Sequence, residues 1–168
     1  MIIIREERQA DVERIHAVNL AAFETATEAD LVKALRERAA PLISLVAEDD
    51  ANIIGHILFS PVTLANEPGL LLMGLAPMAV VPARQRQGVG SRLVREGLER
   101  CRQLNAAAVV VLGHPEYYPR FGFAAASRLS LRSEYDVPDG VFMVRELRDG
   151  ALSGRSGTIR YHSVFGEV

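Results

Sequence analysis

Eight consecutive residues, Arg84-Gln85-Arg86-Gln87-Gly88-Val89-Gly90-Ser91, combine charge, glycine and a hydroxyl at a spacing suited to holding an anion. They follow a nearly all-apolar run, Leu70 to Val81, and lead into a strong helix pattern that continues to about Leu104. A helix start carries unpaired backbone N–H groups and a partial positive charge, so it can hold a phosphate. Gly88 and Gly90 let the backbone approach an anion closely. Arg84 and Arg86 add positive charge, and Ser91 offers a hydroxyl in the first turn. A dinucleotide fingerprint would need a third glycine where Leu93 stands, and no Gly-Lys-Ser/Thr of a P-loop occurs. The residues alone leave two readings open: an anion site, or a glycine-containing loop that merely turns into a helix.

Other chemistry-bearing side chains are scattered. Cys101 falls on the apolar face of the helix and reads as a buried structural thiol. His16, His56 and His162 show no metal-ligand spacing, so no metal is expected. His56 lies in a strand pattern and reads as a surface or hydrogen-bonded residue. Glu24, Glu116 and His114 are candidate bases by polarity alone, and Glu116 also suits a cap for a short helix after Pro115. Glu134 and Asp136 lie in a charged loop and read as exposed.

The surrounding pattern predicts the elements that position these groups. Ile2 to Arg5 reads as a strand, and Asp11 to Phe23 as a helix whose first turn carries Asp11. Thr27-Glu28-Ala29-Asp30 resembles a capping box opening a second helix that ends near Arg38. Ile43 to Glu48 and Ile53 to Phe59, extending toward Thr63, form an antiparallel hairpin about Asp49-Asp50-Ala51-Asn52. Asn66-Glu67-Pro68-Gly69 marks a turn. Leu70 to Val81 reads as a strand buried on both faces, and Pro77 within it implies a bulge or a neighbour that has moved away. On the following helix Val89, Leu93, Leu98, Cys101 and Leu104 share one face, while Arg92, Arg95, Glu96, Glu99 and Arg100 are solvated. Ala106 to Leu112 and Val141 to Leu147 read as strands, Tyr117 to Arg120 as a helical turn, and Thr158 to Phe165 as a strand or ordered tail. The order gives a mixed α/β layer fold and one domain over residues 1–168, its segment from about 150 a strand or tail.

Composition narrows the classes. The chain has 168 residues, 49% of them apolar, and no tryptophan, so aliphatic side chains must fill the core. The net charge of -2 lacks the basic footprint of a nucleic-acid binder. One cysteine forms no intramolecular disulfide, which suits a reducing cytoplasm. The N-terminus lacks the basic start and long apolar stretch of a signal peptide, and no run suits a membrane span.

Two separated motifs carry a family resemblance. Gln85-Arg86-Gln87-Gly88-Val89-Gly90 matches the Q/R-x-x-G-x-G/A motif of the GNAT superfamily of N-acetyltransferases. Leu75 to Pro82 resembles that family's fourth strand and the loop after it. Leu112-Gly113-His114-Pro115-Glu116-Tyr117-Tyr118-Pro119-Arg120-Phe121-Gly122-Phe123 resembles the Gly-Asp-Pro-x-Tyr-Tyr-x-x-Phe-Gly-Phe signature of its bacterial YhbS-like subgroup, with His114 in place of the aspartate. Gly157 to Phe165 resembles that subgroup's ending. The resemblance implies a mostly antiparallel central sheet with a splayed fourth strand and flanking helices.

It also implies a transferase that moves an acetyl group from acetyl-CoA, as co-substrate, to a primary amine of a small molecule or peptide by direct attack on the thioester. The backbone of Arg86 through Ser91, within the motif that begins at Gln85, would take the coenzyme A pyrophosphate. Met78 and Val80 would pair with the pantetheine arm, and an N–H near Met78 or Ala79 would face the oxyanion. Tyr118, four residues before Gly122, would donate a proton to the leaving thiolate. A non-catalytic coenzyme A-binding module of the same fold is the second reading. A homodimer through sheet edges or the C-terminal segment is compatible with the sequence, and neither nucleic acid nor membrane is an expected partner.

Overall fold

The structure is a computed structural model that describes all 168 residues. It contains nine strands: β1 (Ile2–Glu6), β2 (Ile43–Asp49), β3 (Asn52–Leu64), β4 (Leu72–Val80), β5 (Ala108–Leu112), β6 (Ala124–Ala125), β7 (Leu131–Ser133), β8 (Phe142–Glu146) and β9 (Gly157–Arg160). The helices are α1 (Val12–Ala22), α2 (Thr27–Arg38) and α3 (Val89–Gln103), joined by short 3-10 turns. Hydrogen-bonded neighbours follow the order β1-β2-β3-β4-β5-β8-β6, with β9 beside β3 and β7. All registered pairs are antiparallel except β4 with β5 and β7 with β9. The fold is therefore the mixed α/β, mostly antiparallel class expected.

The chain divides into two compact units. The first holds residues 1–60, 76–97 and 163–168. Here β2 and β3 form the hairpin read from the sequence, closing at Asp49 opposite Asn52. Asp50 and Ala51 between them both have positive φ, 49° and 69°, which matches the twist of a two-residue hairpin turn. Residues Ile53 through Ser60 are buried without a break, so both faces of this strand are covered. On one face α1 and α2 place Ile15, Val18, Leu31, Val32 and Leu35 against Val46, Ile53, Leu58 and Ala79.

The other face takes α3 at very short range. A Cβ on Gly55 of β3 would lie 3.1 Å from both Val89 and Leu93, and a Cβ on Gly97 of α3 would lie 2.1 Å from the ring of buried Phe59. Two glycines, one on each partner, form notches for the other's side chains. The residues match in length: eight helical residues from Val89 to Gly97 rise about 12 Å, and four strand residues from Gly55 to Phe59 rise about 13 Å. Glycine inside a helix costs about 1 kcal/mol relative to alanine in general. Here the ring of Phe59 reverses that preference.

The first unit also buries a polar chain. Asn19 Nδ2 donates to the Ile15 carbonyl at 3.1 Å and lies 3.3 Å from His56 Nδ1. Ser44 Oγ lies 2.9 Å from His56 Nε2 and donates to Glu7 Oε1. Its single hydrogen is spent on Glu7, so His56 Nε2 carries the ring proton and Nδ1 accepts from Asn19. Arg36 closes the chain on Glu7 with contacts of 2.8 and 3.1 Å. His56 is fully buried, and that burial pushes its pKa down to about 4, against the opposing pull of the Glu7 charge. Burial works to raise the Glu7 carboxyl, but the Arg36 and Ser44 hydrogen bonds outweigh it and leave the group below its usual range. His56 is thus an interior residue, not a surface one.

Several boundaries differ from the sequence reading. α2 does begin at Thr27, but its N-cap is Ala26 and no side chain caps it. Thr25 Oγ1 instead accepts the Thr27 N–H at 3.3 Å, so the turn before the helix does the work assigned to a capping box. Leu104 is 39% exposed, because α3 ends at Gln103 and the chain turns at Asn105 with φ of 63°. Val94 replaces it in the buried face of α3. Asp11 sits just before α1, where it accepts from Arg5 at 2.7 and 3.1 Å and from the Arg8 N–H. The Arg5 contact holds its carboxyl down at about 2.

The second unit holds residues 61–75 and 98–162. β4 pairs in parallel with β5 over Leu72–Gly74, and β5 pairs with β8 along its whole length. The end of β3 pairs with β9 at Thr63 and Leu64, and β9 also carries β7. The C-terminal reading resolves as a strand, Gly157–Arg160, followed by a 3-10 turn at Ser163–Gly166.

Two outcomes test these forces. The unfolded histidine titrates near 6.5, so the buried neutral ring stabilises the fold above that value and loses its contribution as pH falls toward 4. Urea denaturation should show a loss of about 2 kcal/mol between about pH 7 and pH 5; a flat midpoint there would contradict the neutral buried ring. Gly97→Ala should lower stability by about 1–3 kcal/mol, since the added methyl enters the Phe59 ring. A stabilised Gly97→Ala protein, as helix propensity alone demands, would refute the notch.

Candidate active site

The anion loop is built from the end of β4, one 3-10 turn and the start of α3, all within the first unit. The Val81 N–H donates to the Ile54 carbonyl at 3.0 Å. Strand residues alternate the edge to which their backbone groups point. The N–H and C=O of Ala79 therefore face β3, whereas those of Met78 and Val80 face the opposite edge. The Ala79 carbonyl agrees, lying 3.3 Å from the Cβ position of Gly55. Met78 and Val80 are half-buried and Ala79 is buried. Pro77 lies buried between them and β4's registered pairs with β5, which cover Leu72 to Gly74.

Three of the four polar side chains from Arg84 to Gln87 are tied to the loop or to the strands beside it. Gln85 Nε2 donates to the Val80 carbonyl at 2.9 Å. Gln87 Nε2 donates to the Ala83 carbonyl at 3.4 Å, and its Oε1 accepts from Arg84 Nε at 3.3 Å. Arg84 also meets the Asp49 carboxylate at 2.9 Å. Its charge, read from the sequence as part of the anion site, is thus taken by a carboxylate of the β2–β3 hairpin. Arg86 is exposed and carries the loop's outward charge.

The backbone turns sharply here. Arg86 has φ of 62° and Gly88 φ of 85°, both left-handed. For Arg86 that conformation is disfavoured and is held by the staples on either side. A Cβ on Gly88 would meet nothing within 4 Å, so open space lies over the loop. The Gly88 carbonyl accepts the first helical N–H, from Arg92, at 3.1 Å. Gly88, Val89 and Gly90 precede that bond, so the intrahelical ladder leaves their N–H groups without acceptors. Val89 is buried against Gly55 and anchors the turn, while Gly90 and Ser91 are half-buried. The result is a positively poled helix start beneath open space, with Arg84, Gln85 and Gln87 tied back.

Tyr118 lies in the second unit, at the start of a 3-10 turn through Phe121. It is 7% exposed. Its ring packs edge-on to Tyr117 at 5.1 Å and to Phe123 at 5.7 Å between centroids. A Cβ on Gly113 would fall 2.4 Å from that ring, so glycine there makes room for it. Gly122 closes the turn at φ of 90°, and Arg145 donates to the Phe121 carbonyl beneath it. Burial, with a smaller contribution from Tyr117, pushes the Tyr118 phenol up to about 12. The phenol therefore holds its proton through neutral pH.

The remaining candidates separate by burial. Cys101 is fully buried, and burial raises its thiol to about 12, which makes it inert. Glu24, Glu134 and Asp136 are exposed. Glu116 is exposed and caps nothing, because the turn opens after Tyr117 and the His114 carbonyl takes the N–H groups of Tyr117 and Tyr118. The sequence reading missed Gly55, Gly97 and Asp49. Gly97 did leave a signal, as a glycine in the middle of a strongly amphipathic helix usually answers to packing.

With this geometry in place, comparison with known proteins is direct. The model of a family described as an acetyltransferase (GNAT) domain matches residues 3–126. The chain belongs to the GNAT family and is an acetyltransferase by that membership. It is 40% identical over 165 residues to the uncharacterized N-acetyltransferase YhbS of Escherichia coli strain K12, covering 98% of both chains. A crystal structure of Escherichia coli YhbS in complex with CoA superposes with a TM-score of 0.92 at 39% identity, covering 98% of this chain and 92% of that one. A GNAT acetyltransferase from Brucella melitensis in complex with acetyl-CoA superposes at 0.80 with 36% identity, covering 98% of each.

The phenol environment can be checked directly. A UV titration of the protein minus that of Tyr118→Phe should reveal a phenol ionising near 12. Ionisation near the ordinary tyrosine value of about 10 would show the ring to be solvated.

Proposed function

We propose that this chain transfers an acetyl group from acetyl-CoA to a primary amine of a small molecule or peptide, by direct attack on the thioester. Residues 1–168 act as a single acetyltransferase domain in this reading, working in the cytoplasm; no helix is long and apolar enough to cross a membrane. The observation that carries the donor half is the loop: open space over Gly88, the N–H groups of Gly88, Val89 and Gly90 ahead of the first intrahelical bond, and the Gln85 and Gln87 side chains folded back. CoA in Escherichia coli YhbS and acetyl-CoA in the Brucella melitensis protein support the same ligand.

The backbone of Arg86 through Ser91 would take the pyrophosphate, with Gln85 and Gln87 fixing the loop's shape. The pantetheine arm would run along the edge of β4 where Met78 and Val80 present their amide groups. Of the two N–H groups considered for the oxyanion, Met78's faces that edge and Ala79's faces β3, so the role goes to Met78. The amine must be neutral to attack. Carbon–nitrogen bond formation then gives a tetrahedral species whose nitrogen loses a proton to solvent; carbon–sulfur cleavage expels the thiolate, which Tyr118 would protonate as general acid, and the phenolate would regain a proton from solvent.

Calorimetry should show binding of acetyl-CoA, and a panel of amines should include one that drives thiol release. Tyr118→Phe should lower kcat by about 10²-fold with CoA affinity unchanged. Unchanged turnover would remove Tyr118 from the chemistry. Tight CoA binding with no thiol release from any amine would favour a coenzyme A-binding module instead, and no binding would defeat the whole reading.

A further inference from the structure

The loop between β4 and α3 carries two arginines, and only one of them is offered to solvent. Arg84 lies at the end of the 3-10 turn, half-buried, and its guanidinium is fastened at two points. One nitrogen meets Asp49 Oδ2 at 2.9 Å, and Nε meets Gln87 Oε1 at 3.3 Å. Gln87 in turn holds the Ala83 carbonyl. Asp49 is the last residue of β2, fixed by its pairing with Asn52 across the hairpin turn. A carboxylate set on the sheet therefore grips the loop through one arginine and one glutamine. The two left-handed residues, Arg86 and Gly88, flank Gln87 directly.

From this geometry we infer that Asp49 is a positioning residue for the coenzyme A pyrophosphate, acting through Arg84 and Gln87 on the backbone of Arg86 through Gly88. The inference rests on the coenzyme A reading of the loop and extends it to a residue nearly forty positions upstream. Its physical basis is preorganisation. A backbone anion site binds well only if its N–H groups already point at the ligand, and an exposed loop with a left-handed arginine does not hold that shape unaided. Asp49 pairs Arg84 through Oδ2 while its Oδ1 meets the Met1 ammonium at 3.2 Å, so the loop presents its N–H groups and Arg86 to an anion while Arg84 is tied back. Removing the carboxylate would free Arg84 to move, which gives a competing outcome of opposite sign.

The test compares the wild type with Asp49→Asn, Arg84→Ala and the double variant, using CoA as the probe in calorimetry. Asp49→Asn should raise the Kd for CoA about tenfold with its melting temperature nearly unchanged, because a half-exposed ion pair contributes little to stability. The double variant should be no weaker than Arg84→Ala, since the two residues act on one chain of contacts. With any amine that supports turnover, the KM for acetyl-CoA should rise while kcat stays within about twofold. An unchanged Kd, tighter CoA binding by Asp49→Asn, additive losses in the double variant, or a loss of affinity that tracks a fall in melting temperature would each overturn the inference. Failure of the wild type to bind CoA would instead defeat the underlying reading of the loop.

Discussion

The close approach of α3 to β3 is the constraint on which the loop depends. A helix cannot come this near a strand with side chains between them, and Gly55 and Gly97 remove the obstacles from opposite sides. Val89 and Leu93 fill the notch at Gly55, and Phe59 fills the one at Gly97. Because the two notches are separated by nearly the same rise along helix and strand, the helix is fixed both in depth and in axial position. Its first residue, Val89, is itself one of the packing contacts. The start of α3, with its unmet N–H groups, is therefore set by core packing and not by the loop that precedes it.

Given that fixed helix start, the loop has to span from Val80 to Val89 while leaving a concave backbone. Its side chains solve this by binding inward. Gln85 reaches back to the strand it has just left, Gln87 to the 3-10 turn, and Arg84 to the hairpin. Each of these contacts is weak alone, being exposed and competing with water. Together they bracket two left-handed residues, and they clear side chains from the space over Gly88. In the proposed reading a phosphate would be held by this backbone, with the helix field and Arg86 supplying the charge.

Much of this was legible in the sequence, for reasons that differ by residue. The elements themselves followed from period and punctuation: the Asp49 to Asn52 turn and the amphipathic α3 lie where the patterns placed them, whereas β4 is buried on both faces only over Leu72 to Leu75 and alternates buried and half-buried residues beyond. The loop's glycines and the later Tyr-Tyr and Gly-Phe pairs identified the family because they are local and their spacing is strict. The capping box at Thr27 was misread because the pattern of a cap is satisfied by many sequences, and Thr25 supplied the hydrogen bond first. Of the two readings of His56 the hydrogen-bonded one holds, and the sequence left the surface one open because alternation cannot mark a strand buried on both faces. Arg84 was assigned to the anion because charge is visible in sequence and its partner, Asp49, is not: the pair is formed across the sheet by residues with no periodic relation. The notches failed for the same reason, since a glycine records the space it leaves but not what fills it.

The environment of Tyr118 constrains how it can act in the proposed reaction. A phenol pushed up to about 12 is a reliable proton holder and a poor acid. Such a group does not deliver its proton ahead of bond cleavage. In the proposed role of general acid it would first hydrogen-bond to sulfur as negative charge develops there, and pass its proton as the carbon–sulfur bond breaks. The rings of Tyr117, Phe121 and Phe123 suit this role, because their packing fixes the orientation of the Tyr118 ring. The same burial that weakens Tyr118 as an acid in solution terms is what would make its single hydrogen bond effective on a departing thiolate.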